Sequence, residues 1–97
     1  MLRHIVMIKL KSDLDKMQVS EKIRFMLEDL EKSIDELLKM EVGFNISTKA
    51  SAFDIVLTAD FKDEDGLNVY RVHPDHVGVL DYLKEVMEKA VVVDYFK

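Results

Sequence analysis

The sequence predicts an α+β fold, a four-stranded antiparallel sheet with helices over one face. Three observations carry that reading. Apolar and polar residues alternate over residues 40–47 and again over 53–61, the period of two that belongs to strands. From Val19 to Leu38 the apolar positions are spaced 4, 3, 1, 3, 4, 3 and 1 apart, a helical stripe backed by Glu, Lys and Asp. Runs of branched apolar residues stand near both ends of the chain, over 2–11 and 90–96.

Taken in order, LRHIVMIKLK over residues 2–11 reads as a strand. One of its faces is Leu2, His4, Val6, Ile8 and Leu10; the other is Arg3, Ile5, Met7, Lys9 and Lys11. Ser12, Asp13 or Asp15 caps the helix that follows. That helix carries Val19, Ile23, Met26, Leu27, Leu30, Ile34, Leu37 and Leu38, with a bend or restart near Ser33. Met40, Val42, Phe44 and Ile46 alternate with polar residues in a second strand, STKASA is a loop, and Phe53, Ile55, Leu57, Ala59 and Phe61 alternate likewise in a third strand. The acidic KDEDG stretch suits a helix N-terminus, and a short helix runs from it to about Val72. Pro74, the only proline, fits the first turn of a further helix, where its missing N–H costs little. The expected inner face of that helix is Val77, Leu80, Leu83, Val86 and Met87. AVVVDYF over 90–96 closes the chain as a strand.

Counted by layers, this is β-α-β-β-α-β, the split βαβ arrangement called ferredoxin-like. Helices cover one face of such a sheet, and the other needs cover if it is apolar. Ile5, Met7, Val56 and the run Val91, Val92, Val93 make it partly so. The expectation is a homodimer packed sheet to sheet, which closes a dimeric α/β barrel.

The 97 residues fit one domain over 1–97, small enough that association would help its modest core. A net charge of −5 without a Lys/Arg cluster argues against a nucleic-acid partner. The absence of cysteine excludes disulfides, thiolate catalysis and cysteine-ligated zinc, and it fits a reducing cytoplasm. The N-terminal stretch is broken by Arg3, His4 and Lys9 and lacks a signal-peptide core, and no run is long enough to span a membrane. A cytoplasmic protein with no membrane partner is expected.

The densest chemistry lies in YRVHPDHVGVLDYL, residues 70–83, where His73 and His76 flank Pro74. Histidine exchanges protons near neutral pH, and a neighbouring tyrosine hydroxyl can hold a carbonyl or enolate oxygen. Tyr70 and His76 thus suit proton abstraction with oxyanion stabilisation, without metal or cofactor. The structural alternative is a helix junction set by His73 and Pro74, with a histidine N–H capping a carbonyl. His4 shares a strand face with Val6 and Ile8 and would point to the same interior. His73 and His76 stand i, i+3, but no further His or Cys lies near, so no metal site is expected. KDEDG lacks the calcium-loop pattern, and no serine stands in a G-x-S-x-G setting.

The chain resembles the stress-responsive A/B barrel (Dabb) domain family through RHIVMIKLK, YRVHPDHVGVLDYLKEV and VVVDYF. The resemblance covers nearly the whole chain and implies a ferredoxin-like subunit in a dimeric α/β barrel. Some members resemble polyketide cyclases. In those, the second histidine of the HPxH stretch is an acid/base paired with the tyrosine six residues earlier, which here are His76 and Tyr70. His4 and His73 match the same pattern. Where cyclase-like members line the pocket with a tyrosine on the first helix and a histidine on the third strand, this sequence has Met26 and Asp54. The resemblance therefore implies His76 and Tyr70 as an acid/base pair, with His4, His73, Met26 and Asp54 as ligand contacts. Three functional readings follow: a homodimer that binds a small apolar or aromatic molecule, a cofactor-independent cyclase or isomerase, and a purely structural dimer.

Overall fold

A computed structural model describes residues 1–97. The elements are β1 (Leu2–Leu10), α1 (Lys16–Asp29) with a 3-10 turn at Leu30–Lys32, β2 (Lys39–Phe44), β3 (Ile55–Phe61), α2 (Glu64–Val72), α3 (Pro74–Val86) and β4 (Met87–Phe96). All strand pairs are antiparallel and the sheet order is β2-β3-β1-β4, so the ferredoxin-like arrangement is present.

Alternation sets the two faces of the sheet. Leu2, Ile8 and Leu10 of β1 lie with Ile55, Leu57, Ala59 and Phe61 of β3 on the helix side, all buried. Ile23 and Leu27 of α1 press on them. Fully burying such a side chain contributes about 1.5–3 kcal/mol. Asp15 caps α1, its Oδ1 accepting from Gln18 N at 3.1 Å, and Asp63 caps α2 by accepting from Gly66 N at 3.0 Å.

Several boundaries differ from the sequence reading. The α1 helix stops at Asp29, earlier than the apolar stripe, and Ile34 and Leu37 are buried from an irregular segment. That segment is already committed to the sheet: Leu38 N donates to Asp60 O at 2.9 Å, and the Glu31 carboxylate accepts from Met40 N. Leu38 itself is half exposed. β2 ends at Phe44 because Asn45 turns the chain, donating through Nδ2 to Phe53 O at 2.6 Å and accepting from Ser47 N at 2.9 Å. Ile46, expected within the strand, lies beyond its end and is 99% exposed.

The inner face of α3 is also shifted from expectation. His76, Val79, Leu83 and Val86 are buried, at spacings of three and four, while Val77 faces outward. Pro74 at the first position starts the helix, and His76, two residues on, lies on its buried side. β4 follows α3 without a loop and forms an edge of the sheet, with both of its faces exposed. Val91 and Val93 pair with Met7 and Ile5 on the bare face, joined there by Val56. Val92 pairs with Val6 and so lies on the helix side, contrary to expectation. No helix is long and apolar enough to cross a membrane.

Candidate functional site

A break between two helices builds the site. His73 leaves the helical conformation (φ −62°, ψ 133°), which ends α2 and begins α3. Its Nδ1 accepts from Asp75 N at 3.1 Å, and its carbonyl accepts from Val77 N at 2.9 Å. The turn folds Tyr70, in the last turn of α2, onto His76, in the first turn of α3. Their ring centroids are 4.0 Å apart. Phe61 supports Tyr70 from the sheet at 5.0 Å, and His4 meets it edge-on at 6.4 Å.

The His76 Nδ1–H donates to Arg71 O at 3.2 Å. This satisfies a carbonyl that the end of α2 would leave unpaired, as the capping alternative foresaw. It also leaves Nε2 with its lone pair. Burial holds the His76 pKa below its ordinary value, against the opposing pull of the Arg71 carbonyl, so the ring is neutral at pH 7. Burial pushes the Tyr70 phenol well above its ordinary range, so it keeps its proton. One neutral base and one protonated donor therefore stand side by side, their rings tilted by 34°.

Both open on a cavity of about 240 Å³ between β1, β4 and the helices. Its walls are mainly apolar, with Val6, Leu27, Leu57, Leu80, Leu83 and Val92 prominent. His4 lines it too, its Nδ1 donating to Asp94 Oδ1 at 2.5 Å. The protein supplies no hydrogen-bond partner for Tyr70 Oη, His76 Nε2 or His4 Nε2, and no buried side-chain polar atom goes unpaired. These three atoms thus reach open space, and the cavity is the space their residues share. The volume lies below the roughly 300–1,000 Å³ of drug-sized ligand sites. It suits a compact molecule with an apolar body and one or two polar groups.

Of the expected site residues, His4, Tyr70 and His76 come together here. His73, Met26 and Asp54 do not line this cavity. His73 is the cap of α3. Met26 borders a shallow recess beside Phe25, Pro74 and Gly78. Asp54 immediately precedes β3, where its carboxylate accepts from Leu10 N at 2.8 Å and Lys16 Nζ at 3.3 Å. That role is structural: it ties the end of β1 to β3. No group of three or more His, Asp or Glu is placed to hold a metal ion.

Two residues that sequence reasoning did not single out belong to the site. Asp94 bridges His4 and Arg71, its Oδ2 accepting from Arg71 Nη2 at 3.3 Å. Arg71 lines the cavity itself. The β1–β4 register was the missing signal, because it sets His4 opposite Asp94.

Residues 2–97 match the family described as the Stress responsive A/B Barrel Domain. A stress-response A/B barrel domain-containing protein of Arabidopsis thaliana is 32% identical over 100 residues, covering 97% of this chain and 46% of that protein. The chain thus spans about half the length of that relative. A solved structure from Bacteroides fragilis, described as a dimeric protein of unknown function and ferredoxin-like fold, is 31% identical with a TM-score of 0.90, covering 99% of this chain and 95% of that one. Another from Thermobifida fusca, described as a dimeric ferredoxin-like protein of unknown function, is 28% identical with a TM-score of 0.85, covering 99% and 90%.

Proposed function

The chain belongs to the stress responsive A/B barrel domain family, and on that premise we propose that it works as a homodimer holding a small apolar or aromatic molecule in the cavity beside Tyr70 and His76. The observation that carries this reading is the cavity itself: apolar walls with three polar atoms left for a guest. The dimer is supported by two relatives described as dimeric and by the bare sheet face, where Ile5, Met7, Val56, Val91 and Val93 lack cover. Sheet-to-sheet packing through that face would bury them together. The cysteine-free composition supports a cytoplasmic location.

The test is a histidine side-chain NMR titration of the full chain with a panel of small aromatic and polyketide-like molecules, alongside sedimentation. Shifts confined to His4 and His76 in a particle of twice the subunit mass are expected. No response from either ring, in a stable dimer, would leave only the structural reading.

A second reading is supported by the Tyr70–His76 geometry. A neutral Nε2 can accept a proton from an acidic C–H while the phenol donates to the oxyanion that develops. This is the chemistry of a cofactor-independent cyclase, isomerase or lyase. Proton exchange into an activated methylene ligand, seen as deuterium uptake and absent in His76→Gln, would establish it.

A further inference from the structure

We infer that the molecule held in this cavity carries a carboxylate, and that Arg71 at the cavity's edge binds that group. The inference rests on the reading of the cavity as a ligand site and names the class of ligand.

Arg71 is the one lining residue with a permanent charge, and no carboxylate lines the cavity beside it. Its side chain is half exposed, so it stands at the edge and not in the depth. The guanidinium is already steadied by two side chains. Nη1 donates to Asn68 Oδ1 at 3.2 Å and Nη2 to Asp94 Oδ2 at 3.3 Å. Asp94 and Asn68 border a separate polar recess, which also touches Arg71. The arginine therefore forms a partition between an acidic recess and an apolar cavity.

A guanidinium has five N–H donors in a planar fork, so those two bonds leave donors to spare. A carboxylate takes such donors in pairs, and the bonds are stronger than neutral ones. Asp94 is the one carboxylate close by, and its two oxygens are taken up by His4 and Arg71, while His4, Tyr70 and His76 carry no negative charge. A neutral aromatic guest would fill the walls equally well but would gain less from the arginine than a carboxylate, which pairs with it charge to charge. The arrangement thus selects an aromatic body ending in an anionic carboxylate, its ring against Leu80, Leu83 and Val92.

The experiment compares 2-naphthoate with 2-naphthalenemethanol, nearly equal in shape, by titration calorimetry on the full chain, with His4 and His76 NMR shifts reporting the site. The carboxylate should bind about tenfold more tightly than the alcohol. Arg71→Met should weaken the carboxylate about tenfold and the alcohol no more than about twofold, so that the preference is largely lost, while Arg71→Lys should keep part of it. Equal affinities in the wild type, or equal losses for both ligands in Arg71→Met, would overturn the role of Arg71 and leave the cavity reading in place. Silence from both ligands in calorimetry and at both histidines would overturn the cavity reading and this inference with it.

Discussion

Tyr70 and His76 stack with ring centroids 4.0 Å apart although they sit on different helices, because the non-helical His73 and the proline after it fold α3 back on α2. The same contact buries both rings and separates their acid–base characters. The phenol is held protonated and the imidazole neutral.

The Tyr70 hydroxyl makes no bond within the protein, so removing it should spare the fold. Tyr70→Phe is expected to melt within about 2 °C of the wild type and to lose roughly five- to tenfold in ligand affinity or turnover. A large fall in melting temperature, with ligand binding intact, would assign the hydroxyl to the core instead.

His76 should shape the pH dependence of stability. Burial lowers its folded-state pKa below the ordinary value of about 6.5. As pH falls through that value the unfolded chain takes up a proton that the folded chain refuses, so stability declines. The melting temperature of the wild type should drop between about pH 7 and pH 5, and His76→Gln should drop less. Equal slopes would show that other groups set the decline. Asp60 acts in a lower window. The Arg3 guanidinium holds its carboxyl below the usual value of 3.8, so its contribution is present above that pH and fades as pH falls through the lower folded value.

The register of β4 makes a paired prediction about assembly. Val93 faces the bare side opposite Ile5, and Val92 faces the helix side opposite Val6. Val93→Asp should reduce the sedimenting mass to one subunit, while Val92→Asp should keep the dimer mass and weaken ligand binding. If Val92→Asp dissociates the dimer and Val93→Asp does not, subunits do not meet through the bare face.

His73 and Asp54 should behave as structural residues. His73→Ala removes a helix cap and is expected to cost about 1 kcal/mol. Asp54→Ala leaves Leu10 N without its acceptor and should cost about 1–3 kcal/mol by urea unfolding. Neither should change the affinity of a cavity ligand more than about twofold. A tenfold loss in either would return that residue to the site.

Where local chemistry decided the structure, the sequence was readable. The alternation of β1, the acidic start of α2 and the proline at the head of α3 are all where their residues placed them, and His4, Tyr70 and His76 converge. Where partners decided it, the sequence misled. The stripe through Ile34 and Leu37 reads as helix, yet those side chains reach the core from a turn pulled toward β3. Two inward faces were available to α3, one through Val77 and one through Val79, and periodicity does not choose between them. Val91, Val92 and Val93 are alike as residues, so only pairing with β1 tells which of them faces the helices. Asp94 and Arg71 are ordinary charged residues until that pairing brings them to the cavity.

Arg71 meets the site twice, through unrelated parts of itself. Its carbonyl sets the tautomer of His76, and its guanidinium stands at the cavity edge. Any residue but proline that keeps α2 helical offers much the same carbonyl, so the base depends little on which side chain occupies position 71. The group that greets the guest can therefore be exchanged with little disturbance to the group that would do the chemistry. A scaffold wired in this way is evolvable in a specific sense: its choice of ligand and its proton acceptor can change one at a time.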